Sequence, residues 1–167
     1  MPDPPDREPA YISAGSSIRP RRNLTAAVDM LCDRVRLTAI SMVLRTPAIG
    51  RPDDPDFLNC VLRAETPLGP RALKYEVLRP IEESLGGRRR SDRYGPRTID
   101  LDLLLYGSRV ADEDGLKLPH PDVSRVFVRA GLLELSPGLS LPPAGIEGAP
   151  GEPVPELTAL LRRRLDR

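Results

Sequence analysis

Two aspartates, Asp100 and Asp102, stand two residues apart in the stretch IDLDLLLY, which closes at Gly107. In a strand alternate side chains share a face. Both carboxylates would then lie on one side, about 7 Å apart, with Ile99, Leu101 and Leu103 on the other. Like charges placed side by side are destabilising unless a cation answers them. Arginines 88, 89, 90, 93 and 97 lie just upstream. A hard divalent ion such as Mg²⁺, which prefers carboxylate and phosphate oxygen, would also fit. This inventory suits a polyphosphate, because phosphoryl-type transfer is catalysed mainly by positioning and by neutralising charge. Two ions about 3.5–4 Å apart could be bracketed by the aspartates while arginine forks clamp the remaining oxygens. His120 and Arg125 are in reserve downstream. The same residues also fit blander readings: a wet face on a half-exposed strand, and a solvated helix exit whose dipole favours arginine.

Other chemistries find no support. Neither G-x-x-x-x-G-K-[ST] nor G-x-G-x-x-G occurs, and a single histidine rules out H-E-x-x-H. No serine or cysteine has an evident base partner for covalent catalysis. Lys+Arg is 25 against Asp+Glu 24, so no overall field favours nucleic acid or an anionic membrane. Cys32 and Cys60 form no CxxC pair, which argues against a zinc ribbon or a disulfide scaffold and fits a reducing, cytoplasmic setting. No apolar stretch approaches the roughly 20 residues of a membrane helix.

The elements that must position these groups follow in order. Residues 1–9, rich in acid and proline, read as a disordered leader, and residues 10–167 as a single domain. Ala10 to Gly15 is a short β-prone run. Arg19 to Arg34 carries Leu24, Ala27, Val28 and Leu31 at helical spacing. Val35 to Arg45 suggests a second strand, and the prolines of residues 46–56 impose a long loop. Phe57 to Thr66 is strand-like. Pro70 to Leu85 has a helical apolar side with Pro80 as a blemish, and Gly86 and Gly87 supply the stop. The basic loop and the aspartate strand follow. This α+β order, βαββαβ, is that of a ferredoxin-like sheet with helices packed on it. Beyond it come LKLPHP with His120, a helix over Ser124 to Leu135, an extended or loose Gly/Pro-rich segment over Pro142 to Pro155 and a short helix over Glu156 to Leu165.

Taken together, RYGPRTIDLDLLLYG resembles the signature of the 6-hydroxymethyl-7,8-dihydropterin pyrophosphokinases of folate biosynthesis. AYISAGS, RTPAIG with DFLN, IEESLG, and LPHP with FV agree with that family in order and spacing over about residues 10 to 140. The resemblance implies a three-layer, ferredoxin-like fold and transfer of pyrophosphate from ATP to the pterin hydroxymethyl group, with release of AMP. It also implies roles. Asp100 and Asp102 would hold two Mg²⁺ ions on ATP. Arg89 and Arg97 would act on the phosphates, with Arg93, His120, Arg125 and Glu82 completing the ATP site. Phe57 and Phe127 would sandwich the pterin, Asn59 would bond its polar edge, and Thr46, Pro47 and Ile49 would close that pocket. The partners expected are the small molecules ATP and the pterin, with no nucleic acid and no membrane, and the chain is expected to be a monomer. Physical chemistry agrees: aromatic faces hold a flat heteroaromatic ring, and an amide offers both donor and acceptor.

The chain also departs from the family pattern. Gly15-Ser16-Ser17 stands where Gly-Ser-Asn is usual, Gly87 where the basic loop usually has arginine, and Tyr94 where tryptophan is frequent; His120 to Phe127 is one residue short. A relative that binds nucleotide or pterin without turnover is the alternative these departures motivate. An RNA-binding module is disfavoured by the 4% aromatic content, since base stacking needs exposed rings.

Overall fold

The computed structural model describes residues 8–48, 52–86, 95–142 and 148–166. Five strands carry the argument: β1 (Ala10–Ser16), β2 (Arg36–Ile40), β3 (Leu44–Thr46), β4 (Phe57–Glu65) and β5 (Asp100–Tyr106). With a two-residue strand β8 (Glu152–Pro153) they form one sheet in the order β5-β1-β4-β3-β8, β2 also pairing with β4, and every ladder is antiparallel. The chain is thus a mixed α/β fold built on an antiparallel sheet.

Alternation sorts the side chains into two layers of core. Ile12 and Ala14 of β1, Cys60 and Leu62 of β4, and Leu101 and Leu103 of β5 enter the larger cluster. Helix α1 (Pro20–Cys32), the helical run 70–84 and α5 (Pro155–Arg163) cover that face. Helix α4 (Val126–Leu135) covers part of the other, packing Val128 and Leu132 with Val61, Leu104 and Leu105. Gly131 permits the approach, since a Cβ there would stand 2.6 Å from the Val61 side chain. The unbroken apolar run at the end of β5 is explained by a bulge. Ile12 pairs with Leu103 and Tyr11 with Leu105, so Leu104 is an extra residue and the strand feeds both clusters.

One expectation needs correction and two gain detail. The strand expected over residues 35–45 is two, because residues 41–43 leave the ladder. Ser41 Oγ accepts the Val61 N–H at 2.8 Å and Thr158 Oγ1 accepts the Val43 N–H at 2.9 Å, so side chains satisfy what a continuous ladder would. The segment expected to be extended or loose over residues 142–155 is extended at β8, held to β3 by the Leu44–Pro153 and Arg45–Glu152 pairs. The helix at 70–84 absorbs Pro80 through a change of winding: α2 (Pro70–Ala72), a π-helical stretch (Leu73–Leu78) and α3 (Arg79–Ser84) follow one another. Pro80 has no N–H for the carbonyl of Glu76, and the Arg34 guanidinium donates to that carbonyl instead, at 3.2 Å.

A hairpin of β6 (Ala111–Glu113) and β7 (Leu116–Leu118) leads through Pro119 and His120 into a 3₁₀ turn (Pro121–Ser124) and α4. Residues 1–7 of the expected leader lie outside the described residues. Glu8 pairs with Arg109 at 2.7 Å, and the Pro9 carbonyl accepts the Gly107 N–H at 2.8 Å. Among the described residues no helix is long and apolar enough to cross a membrane.

Candidate active site

The face of the sheet that α4 leaves open gathers most of the residues singled out by their chemistry. Asp100 pairs across β1 with Gly15, and Gly15 pairs with Asn59 on β4, so these three form one row across three strands. Asp102, Ser13 and Val61 form the next. By the same alternation Phe57 shares the face with Asn59. Asn59 Nδ2 donates to Thr46 Oγ1 at 2.8 Å, anchoring the amide from the end of β3. Gly15 is required in the middle of the row: a Cβ there would stand 2.7 Å from Asn59 Oδ1. The Asn59 amide fills the space that a side chain there would take, so it lies over Gly15, beside Asp100 in the row.

Phe57 is half-buried and belongs to neither apolar cluster. Phe127, at the start of α4, is half-buried and packs against the cluster that contains Val61 and Leu104. Thr46 is buried and Pro47 exposed. Ile49, Arg89 and Arg93, with Gly87 and Tyr94, lie outside the described residues. Arg97 is half-buried; its Nη1 donates to the carbonyls of Gly95 and Pro96 at 3.4 and 3.3 Å.

The segment after β7 brings His120 alongside β5. The His120 N–H donates to the Leu104 carbonyl at 2.9 Å, and Nε2 stands 3.8 Å from Asp102 Oδ1. His120 Nδ1 accepts the Asp122 N–H at 3.0 Å, so the neutral ring carries its proton on Nε2, toward the carboxylate. Burial, with Lys74 and Arg125 adding to it against the pull of Asp122, holds the His120 pKa below its usual value and favours that neutral form. Asp122 Oδ1 in turn meets Arg125 Nε at 3.5 Å, so Arg125 is tied into the same cluster.

Electrostatics mark Asp102 as a carboxylate short of counter-charge. Burial first, then the charges of Asp100 and Asp122, push its pKa up to about 7. Among the described residues Asp100 makes no salt bridge, and it is exposed. Glu82 is raised further, to about 8, by burial and then by Asp100. It approaches from the free edge of β5, where its Oε2 accepts the Leu101 N–H at 3.2 Å and its Oε1 lies 3.9 Å from Arg79. A hard cation fits this donor set. Oxygen ligands converge on one face, their mutual repulsion is what a positive charge would relieve, and one ligand atom each from Asp102, His120 and Asp122 lie within 4.8 Å of one another.

Several contributors escape a reading of the sequence. Lys74 and Arg79 act on Asp102 through space because the helix lies along the edge of β5, which only the tertiary fold decides. Asp122 had a weak local signal, since it stands two residues after His120 and three before Arg125. Gly15 had one as well, a glycine inside an otherwise regular strand.

Comparison with known proteins gives the family. Residues 11–137 match the family described as 7,8-dihydro-6-hydroxymethylpterin-pyrophosphokinase. The 2-amino-4-hydroxy-6-hydroxymethyldihydropteridine pyrophosphokinase of Pseudomonas aeruginosa is 38% identical over 153 residues, covering 89% of each chain. The proteins of the same name from Haemophilus influenzae and Bacillus subtilis are 37% and 39% identical, covering 80% and 75% of this chain and 84% and 77% of their own. With the aspartate pair, the Asn59 row and the His120 cluster on one open face, and with a family match over most of its length, this chain belongs to the 7,8-dihydro-6-hydroxymethylpterin pyrophosphokinase family.

Proposed function

We propose that this chain transfers pyrophosphate from ATP to the hydroxymethyl group of 6-hydroxymethyl-7,8-dihydropterin, releasing AMP. One observation carries the reading: Asp100, Gly15 and Asn59 stand in one row. A triphosphate held at the carboxylates and a flat ring held at the amide would therefore meet side by side, the glycine between them admitting the amide. Asn59 bonds the polar edge of the pterin, with its amide oriented by Thr46. Phe57 and Phe127 supply aromatic faces, and Pro47 and Ile49 close the pocket.

At the carboxylate end, Asp100 and, in the next row, Asp102 would hold two Mg²⁺ ions. When bound, these neutralise phosphate oxygens and polarise the phosphorus under attack. His120 donates from Nε2 to a phosphate oxygen, and Arg125 extends the positive rim. Arg97, Arg89 and Arg93 hold the remaining phosphate oxygens as the β-phosphorus passes from the AMP oxygen to the pterin alcohol oxygen in line. Glu82 sets the approach of β5 from its edge.

The strand order β5-β1-β4 followed by β2 and β3, all antiparallel, supports a ferredoxin-like topology within a single domain over residues 10–167. All assigned residues come from one chain, which suits a monomer. Two cysteines with no CxxC pair suit the reducing cytoplasm, where ATP and Mg²⁺ are plentiful. The test is product analysis. Purified protein with ATP, Mg²⁺ and the reduced pterin should yield AMP and the pterin diphosphate in equal amounts. ADP, or tight binding with no product, would overturn the reading.

A further inference from the structure

The 3₁₀ turn between β7 and α4 is built around Asp122. Its N–H donates to His120 Nδ1 at 3.0 Å, which leaves the ring proton on Nε2. Its carbonyl accepts the Arg125 N–H at 3.0 Å, and its carboxylate Oδ1 stands 3.5 Å from Arg125 Nε. A 3₁₀ turn winds three residues per turn, so residues i and i+3 stack on one side, and the local winding itself brings Asp122 beside Arg125. The turn is anchored at both ends of this arrangement. Buried Val123 enters the cluster that holds Leu104 and Leu105, and the His120 N–H donates to the Leu104 carbonyl at 2.9 Å, which registers the turn on β5. The side chains of Asp122 and Arg125 are only 20% and 26% exposed, so water screens the pair less than it would a surface pair.

We infer that Asp122 is a positioning residue for Arg125: its carboxylate holds the guanidinium by Nε and so presents the two Nη groups to the triphosphate. The inference rests on the ATP-site role given to Arg125 above. A guanidinium is planar, with Nε and the Nη groups on different edges, so a contact at Nε fixes the plane and leaves four N–H donors for phosphate oxygen. The long side chain is then ordered before ATP arrives, and that ordering no longer opposes binding. Asp122 has a second, opposing effect. Its negative charge lies close enough to be felt at Asp102 and by itself would repel a triphosphate. The two effects differ in sign, which makes the role of Asp122 measurable.

The test is a double-mutant cycle in the full chain with Asp122→Ala, Arg125→Ala and both together. Calorimetric titration with α,β-methylene ATP and Mg²⁺, and separately with the pterin, reads the two affinities. Asp122→Ala should bind the nucleotide about fivefold more weakly, the worth of one partly screened ion pair, and the pterin as well as wild type does. Asp122→Asn, which keeps an acceptor oxygen in place, should recover part of the loss. In the Arg125→Ala background Asp122→Ala should cost nothing further, because both act through one guanidinium. The chain has a single histidine, so ¹⁵N resonances of its ring report the turn, and the Nε2–H tautomer in wild type and variants alike shows it intact. Should Asp122→Ala alter that signature, Asp122→Asn takes its place in the cycle. Unchanged or tighter nucleotide binding in Asp122→Ala would overturn the inference. So would an equal loss with and without Arg125, which is what a metal ligand would give, and so would wild-type nucleotide affinity in Arg125→Ala. The reaction itself is judged apart from these, by AMP formation in the wild-type chain.

Discussion

Gly15→Ala separates site geometry from stability. A Cβ at residue 15 would stand 2.7 Å from Asn59 Oδ1, about 0.7 Å inside ordinary contact. No positive φ is needed at this strand position, and the atom in the way is the end of a side chain, so relief comes from moving the amide. A shift of about 0.7 Å takes the Asn59–Thr46 hydrogen bond from 2.8 Å to the limit of useful geometry. The strain cost, about 1 kcal/mol, is offset by the lower chain entropy of alanine, worth about 0.4–1 kcal/mol. Net stability should therefore hardly change. Pterin recognition should suffer, since a displaced amide forfeits about one hydrogen bond to Thr46 and aligns poorly with the ring edge. About tenfold weaker pterin binding is expected, equivalent to about 1.4 kcal/mol. Calorimetric titration with the pterin and, separately, with an ATP analogue would read both affinities. Unchanged pterin affinity at an unchanged Tm would refute the placement of the pterin edge at Asn59, and equal loss for both ligands would refute the division of the row.

Phe57→Ala should weaken pterin binding by about tenfold or more while leaving the ATP analogue near wild type, read in the same titrations; a loss confined to the nucleotide would contradict the aromatic role. Asp102→Asn should reduce AMP formation by at least about a hundredfold with an unchanged circular dichroism spectrum, as removal of a group acting on transition-state charge does; near-normal activity would refute its assignment. Asp102 and Glu82, at about 7 and about 8, stand above the 3.8 and 4.5 of the free groups, so the folded chain retains protons that the unfolded chain gives up. Their contribution therefore falls as pH rises through that window. The metal-free Tm should decline between about pH 5 and pH 8, less steeply in Asp102→Asn; an equal slope in both would contradict it. A Gly131→Val change drives a side chain against Val61 and should destabilise by about 1–3 kcal/mol in denaturant melts, and wild-type stability would refute the tight packing of α4.

The parts legible in the sequence are those with local causes. Alternation about Asp100 and Asp102 placed both carboxylates on one face, and the helical spacing of Leu24, Ala27, Val28 and Leu31 placed α1. Four-residue apolar runs carry no such phase, so the bulge at Leu104 could not be read. Nor could the split of β2 from β3, which depends on Ser41 and on Thr158, distant in sequence, nor β8, whose two residues pair by proximity alone. The helix over Pro80 was expected, but its π-turn compensation needs Arg34 from elsewhere in the chain. In the site, the strand residues and His120 could be named from motifs. Glu82 could be named from its block as well, though not its bond to Leu101; Lys74 and Arg79 could not, because their influence exists only once a helix lies along β5.

The central claim is that two aspartates sharing one strand face hold the divalent ions that bind the triphosphate. Titrating Mn²⁺ into the protein with a non-hydrolysable α,β-methylene ATP, followed by electron paramagnetic resonance, tests it most directly. The wild-type chain should take up two ions per molecule in the presence of the analogue, and Asp100→Asn and Asp102→Asn should each lose tight binding while remaining folded. Identical uptake by all three proteins would contradict the account.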